Sequence, residues 1–325
     1  MAFRGEFEVP VGANVFPVPI GASIGTPQKS PWSAAFVDPK QRVTSKSHVV
    51  FGMVSQFEWK GSGLLSMKTV LNHHVDIHCG GGIHRIEPDT YLILNKGTEY
   101  SFLMKGGQPI QGLSAFFDES SIRAAIDTRN AQAQLDSPES SKSASLDFVE
   151  RLYPNDAALQ KLRKIGSMIE EFGTDSLWLQ ESLVELLTLI LAAQSACADE
   201  IATVDASRAD TKLELYRRLY KARDYAHASL DQPISIDDLA YVACLSTNYF
   251  LRTFRDLFGQ TPHQYIVELR LQKAKQLLLQ SNSSVSDICQ QVGFQSLGSF
   301  SWLFKKRIGL SPDQFRRAAP RRYII

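Results

Sequence analysis

The segment NHHVDIHCGGGIHR gathers His73, His74, His78, Cys79 and His84 into one short stretch. Imidazole and thiolate are ligands for zinc, iron or copper, so a metal site is one reading. The spacing does not complete a three-ligand set, and an alternating strand would send His73 and His74 to opposite faces. A surface hairpin carrying histidines is the reading the pattern favours. The same histidines (His73, His74, His78, His84) are also candidates to line a ligand pocket or to sense pH. Other catalytic signatures do not occur: the chain has no GxSxG, P-loop, HExxH or dinucleotide-binding fingerprint. Gly80, Gly81 and Gly82 lack the strand-to-helix context of a phosphate loop. No catalytic residue, metal or cofactor is therefore expected, and the chain does not read as an enzyme.

The pattern with the most information is an internal repeat in the last ninety or so residues. SIDDLAYVACLSTNYFLRTFRDLFGQTPHQYI begins at Ser235, and SVSDICQQVGFQSLGSFSWLFKKRIGLSPDQFR begins at Ser284. Leu239, Ala240 and Ala243 match Ile288, Cys289 and Val292. After one extra residue, Phe250, Phe254, Gly259, Pro262 and Tyr265 match Phe300, Phe304, Gly309, Pro312 and Phe315.

Each copy opens on a serine with an aspartate three residues later, the signature of a helix N-cap. The small residue Ala240 or Cys289 lets a second helix approach closely. A turn follows, in which Cys244 aligns with Gly293. A second helix starts at Ser246 or Ser296, its phenylalanines four apart facing inward and its polar positions outward. Gly259 and Gly309 suit a helix C-terminus, and Pro262 and Pro312 suit the start of the next helix. Two short helices around a tight turn, twice over, predict a doubled helix-turn-helix over residues 235–258 and 284–307.

In these residues the chain resembles the AraC family of bacterial transcription regulators. NYFLRTFRDLFGQTP, SFSWLFKKRIGLSP and the intervening HQYIVELRLQKAKQLL look like that family's DNA-binding domain, from about Lys212 to Arg317. The resemblance implies two recognition helices placed in successive major-groove segments on one face of double-stranded promoter DNA. The base-reading candidates are then Thr247, Asn248, Leu251 and Arg252 in the first helix, and Leu297, Gly298, Ser301 and Trp302 in the second. Arg252 matches the family's recognition arginine, and arginine can bridge guanine O6 and N7. The second helix departs from the pattern, because Trp302 stands where arginine is frequent and Gly298 has no side chain. Phosphate contact, thymine-methyl contact or shape readout are its options. Arg255, Lys305 and Lys306 are phosphate candidates. Arg316, Arg317, Arg321 and Arg322 either touch phosphate or form a basic tail.

Charge partitions the chain in the same way. The 325 residues carry a net +1, but residues 205–325 hold 18 Lys+Arg against 11 Asp+Glu, or +7, leaving 17 against 23, or −6, for the rest. A basic C-terminal third beside an acidic remainder is the footprint of a nucleic-acid-binding domain with a partner domain. Up to about Phe117, stretches such as SHVVFGMV, LLSMKTVL, TYLILN, YSFLM and GLSAFF read as strands. The turn chemistry of VDPK, WKGSG, CGGG, EPD, NKG and KGGQP separates them. Residues 1–118 are thus expected to be all-β. DTYLILNKGTEYSF resembles the cupin-like sensor half of many AraC-type regulators.

The polar QLDSPESSKSAS predicts a linker over 119–145. Two apolar stripes predict helices within 146–204, one running from Leu159 to Phe172 and one from Leu177 to Leu191, for sensing or dimerisation. The fold class expected is α+β and multidomain, with a cupin-like β sensor domain, middle helices and an all-α DNA-binding domain over 205–325.

The longest apolar run, Leu186 to Ala193, is short of the ~20 residues that span a bilayer, and the opening MAFRGEFEVP lacks a secretory h-region. With four dispersed cysteines and no CxxC, a cytoplasmic, thiol-reduced setting is expected. The reading is a sequence-specific DNA-binding regulator controlled by a small-molecule effector in the N-terminal domain. Homodimerisation and contact with RNA polymerase, as in an activator, are further expectations. The alternatives are a protein partner or a metal at the N-terminal domain, or a cupin enzyme fused to a DNA-binding domain.

Overall fold

Strand-forming residues dominate the first half of the chain and helix-forming residues the second, and the computed structural model follows that division. It describes residues 47–136, 147–172, 177–206 and 208–318. Residues 47–81 and 85–197 form one compact unit, and residues 82–84 join residues 198–318 in another.

The sheet is built from the strands β1 (His48–Gly61), β2 (Leu65–Val70), β3 (Val75–Cys79), β4 (Gly82–Ile86), β5 (Thr90–Leu94), β6 (Tyr100–Phe117) and β7 (Leu152–Pro154). They run in the order β4-β3-β6-β2-β5-β7, with β1 on β6. The strand β6 is the organising element, pairing antiparallel with β1, β2 and β3. Its KGGQP segment is not the turn that its composition predicts. The ladder instead slips there, from Gln56 opposite Lys105 to Val54 opposite Ile110. A glycine pair can absorb a bulge as readily as a turn, and pairing on either side keeps the strand continuous. WKGSG enters β1 only through Trp59–Gly61, its Ser62 and Gly63 lying in the connection to β2, and VDPK is outside the described residues.

Strand alternation divides the interior into two. Leu65 and Met67 of β2 face a core shared with the helices α1 (Glu119–Asp136), α2 (Ala157–Phe172) and α3 (Leu177–Thr203). Val70 of β2 joins Val75, Ile77, Ile86, Leu94 and Tyr100 in a second core.

The stretch expected to be a linker holds α1 over its first part, while residues 137–146 are not described. Its polar composition masked the anchor: Ile122 and Ala125 are buried and Ile126 packs beside them, at helical spacing. Asp118 caps this helix, accepting from the Ser121 backbone N–H at 2.8 Å. It also accepts from the Ser47 N–H at 2.5 Å and the Ser120 hydroxyl at 2.6 Å. Burial alone would raise its pKa, but these donors outweigh burial and hold it down at about 2. A carboxyl lowered in the folded state contributes stability above its ordinary pKa of 3.8 and loses it as pH falls through about 2. Acid titration of Asp118→Asn should therefore lack part of the wild-type loss between these values, measured as the unfolding midpoint against pH.

The predicted stripes form α2 and α3, though Leu177 is 71% exposed rather than part of the apolar face. By length and composition α3 passes as a membrane span, yet Leu183, Leu186, Leu187, Ile190 and Leu191 are buried in the unit's own core.

The C-terminal unit is all helix over residues 198–318: α4 (Ala209–Ala228), α5 (Ile236–Val242), α6 (Thr247–Phe258), α7 (Pro262–Gln280), α8 (Val285–Gln291), α9 (Leu297–Ile308) and α10 (Pro312–Ala318), after the end of α3. The long α7 packs against α4 and α6 on one side of the repeat and against α8 and α10 on the other.

Candidate nucleic-acid interface

The two motifs are the same object built twice. Ser235 and Ser284 accept from the N–H of Asp238 and Asp287, and the aspartates reach back to the serine N–H, so each first helix opens on a complete capping box. Hydrogen bonding of Asp238 to Ser235 lowers its carboxyl pKa. Each first helix closes on a left-handed residue, Cys244 at φ 53° and Gly293 at φ 82°. Cys244 N–H donates to Tyr241 at 2.9 Å and Leu245 N–H to Ala240 at 2.9 Å; Gly293 donates to Gln290 at 2.9 Å and Phe294 to Cys289 at 3.0 Å. This double bond pattern is the Schellman closure, which requires a residue tolerant of positive φ.

The second helices, α6 and α9, bury Phe250 with Phe254 and Phe300 with Phe304. Phe254 meets Tyr265 edge-on at 5.6 Å, and Phe304 meets Phe315 edge-on at 5.6 Å, the pairs that the repeat alignment matches. Gly259 and Gly309, both left-handed, end these helices.

Arg270 on α7 locks the two copies. Its guanidinium donates to the carbonyls of Leu230 at 3.2 Å and Gln232 at 2.9 Å, on the approach to the first motif. It also lies 5.8 Å from the ring of Phe294 in the turn of the second. Burial pulls its pKa down from the free arginine value.

With one side of α6 and α9 committed to the core, the opposite stripe is left to solvent. In α6 it comprises Asn248, Arg252, Arg255 and Asp256; in α9, Gly298, Trp302, Lys305 and Lys306. The stripes correspond residue for residue at a spacing of fifty. Each stripe lies on a helix narrow enough to fit a major groove, and all but Gly298 among its residues are polar, charged or aromatic.

Residues 239–318 match a protein family described as a helix-turn-helix domain. The chain is 37% identical to the "Probable transcriptional regulator LumQ" of Photobacterium leiognathi, over 29% of this chain and 38% of that protein. It is 29% identical to the "HTH-type transcriptional activator RhaS" of Klebsiella pneumoniae, over 50% of this chain and 56% of that protein. A solved transcriptional regulator from Chromobacterium violaceum, described as containing an AraC-type DNA-binding domain, is 34% identical over 32% of this chain and 94% of its own, with a TM-score of 0.30. Residues 239–318 are a helix-turn-helix domain of the AraC type. The chain spans less than two thirds of the length of these curated relatives.

Within this AraC-type domain the candidate residues separate by accessibility. Asn248, Arg252, Leu297, Gly298 and Trp302 are exposed, while Thr247, Leu251 and Ser301 are half-buried. Thr247 already has a partner, its hydroxyl donating to Asp237 Oδ1 at 2.7 Å and tying the start of α6 to α5. Thr247→Val should cost about 0.5–1.5 kcal/mol of folding stability, measured by chemical denaturation. Arg252 lies over the Tyr249 ring at 5.3 Å, and Lys306 lies over Trp302 at 4.6 Å. Trp302 is 61% exposed, an unusual setting for the largest apolar side chain. Arg255, Lys305 and Lys306 are exposed toward the C-terminal halves of their helices.

Asp256 was not singled out from the sequence, although the repeat spacing pairs it with Lys306. A carboxylate there opposes phosphate, so the two copies differ in charge at matching positions. Arg316 donates to the carbonyl of Ser283 at 2.6 Å, which assigns it a structural bond, while Arg321 and Arg322 lie outside the described residues.

The histidine segment does not form a shared site. His73, with φ 50°, and His74 lie in the turn before β3 rather than on an alternating strand, and both are exposed. On β3, Val75, Ile77 and Cys79 point inward and His78 points out. His84 is buried. Among the described residues no three His, Cys, Asp or Glu side chains are grouped to hold a metal ion.

Proposed function

We propose that the chain is a sequence-specific transcription regulator of the AraC type, whose C-terminal unit reads DNA and whose N-terminal unit, cupin-like in character, answers to a small-molecule effector. The observation that carries this reading is the duplicated exposed stripe Asn248–Arg252–Arg255 and Gly298–Trp302–Lys305, held by two capped and aromatic-locked motifs. Arg252 reads guanine through its fork of donors, with Asn248 beside it. Thr247 and Leu251 border that contact, and Leu297 and Ser301 border Trp302. Trp302 supplies apolar contact, suited to a thymine methyl group, and Gly298 admits close approach of the DNA. Arg255, Lys305 and Lys306 contact phosphate.

Effector binding shifts the populations of two arrangements of the sensor and DNA-binding halves and so changes operator occupancy. The protein works in the cytoplasm as a homodimer on promoter DNA, and contact with RNA polymerase would accompany activation. The test is retention of fragmented source-organism DNA by the purified protein across a salt series, with sequencing of what is retained. An enriched motif is expected. Retention that is uniform in sequence and steeply salt-dependent would contradict the reading.

A further inference from the structure

The N-terminal unit holds a cavity of about 120 Å³ among β1, β2, β3 and β6. Two glycines make room for it. Gly52 of β1 lies directly opposite Gly112 of β6, and both line the space. Opposed residues of an antiparallel pair present their side chains on the same face, so at this point the wall has none to present. A Cβ built on Gly112 would meet nothing within 4 Å. Around the gap, Val50, Val54, Tyr100, Phe102, Met104 and Phe116 supply apolar surface. None of the four histidines lines the space.

We propose that this cavity binds a compact, neutral, apolar molecule: one hydrocarbon ring or its equivalent in size. The inference rests on the reading of the N-terminal unit as the effector-binding half and assigns the effector's chemical class.

The chemistry of the walls selects that class. Gly112, Ser114 and Phe116 stand between β1 and β2 and are paired on both sides, so their backbone N–H and C=O groups are committed to the sheet. The Thr69 hydroxyl donates to the Thr90 carbonyl at 2.8 Å. Lys68, the one charged residue of the lining, is already partnered, its Nζ 4.3 Å from the centroid of Phe116 and 4.9 Å from that of Tyr100. A sugar, another polyol or an ion would leave its water for walls with little left to bond it. A neutral hydrocarbon gives up no hydrogen bond on entering and leaves the contacts of Lys68 in place. Glycine weakens a strand interior, and two of them opposed at one ladder position mark a place of close approach. The volume sets the size. A cavity of roughly 150 Å³ accepts benzene, so about 120 Å³ takes one ring at most.

The experiment is calorimetric titration of the full chain with benzene and with benzoate, the same ring bearing a charge, on wild type and Gly112→Leu. Benzene should bind wild type with one-to-one stoichiometry and exceed benzoate by roughly tenfold or more. Gly112→Leu places a side chain in the space and should weaken benzene binding by roughly tenfold or more. Failure of benzene to bind wild type, benzoate binding as tightly as benzene, or equal benzene binding by wild type and folded Gly112→Leu would overturn the proposal. If Gly112→Leu does not fold, as judged by circular dichroism, Gly112→Val replaces it, and the wild-type comparison of benzene with benzoate decides in either case. DNA retention on the same preparations separates the two readings. A motif without benzene binding sinks only the ligand class, and benzene binding without a motif sinks only the regulator.

Discussion

Arg252→Ala should weaken binding to a selected DNA site by about 1–3 kcal/mol, or roughly 5- to 150-fold, while leaving affinity for unrelated DNA and folding stability nearly unchanged. The side chain is exposed on α6 and takes no part in the Phe250–Phe254 core, so its removal opens no cavity. In free protein its guanidinium rests over Tyr249, a contact it can exchange for a base edge at small cost. Arg252→Lys keeps the charge but loses the planar fork, and is expected to fall between wild type and alanine. Fluorescence anisotropy on specific and scrambled duplexes at matched salt measures all three. An equal loss on both duplexes, with a shallower salt slope, would make Arg252 a phosphate contact instead.

Gly293→Ala should destabilise the C-terminal unit by about 2–4 kcal/mol. Two causes act together. The backbone at φ 82° is one that L side chains rarely adopt, and an added Cβ would press into the Leu230 carbonyl oxygen and within 2.8 Å of the Arg270 guanidinium. The oxygen belongs to backbone already bonded by Arg270, so it cannot yield cheaply. The matching residue of the first copy should respond in the opposite sense. Cys244 holds the same left-handed turn at φ 53° with a side chain present, so Cys244→Gly should raise stability by up to about 1 kcal/mol. Denaturant unfolding followed by far-ultraviolet circular dichroism reads both substitutions.

Much of the C-terminal domain was legible because its signals are local. The Ser–Asp caps, the phenylalanines four apart, the terminal glycines and the prolines at helix starts each act within one turn of chain, and repetition made each signal count twice. The alignment of Cys244 with Gly293 marks the turn in both copies, while the left-handed backbone at Cys244 shows only in the structure. What was missed depends on residues distant in sequence. The helix α1 hides in a polar segment because a few apolar residues, Ile122 and Ala125 among them, suffice to dock it. KGGQP reads as a turn because glycine and proline mark turns and bulges alike, and only strand pairing decides between them. The histidines drew attention by composition, but three of them project to solvent.

The central claim, that both motifs read adjacent DNA segments, is tested most directly by dimethyl sulfate protection of guanine N7 on a fragment the protein retains. The account predicts protection in two major-groove patches about one helical turn, roughly 10 base pairs, apart on one face of the duplex, with the Arg252→Ala protein losing only one of them. On a fragment with guanines under both helices, protection of a single patch would contradict the doubled reading, and no base protection despite tight binding would contradict base readout altogether.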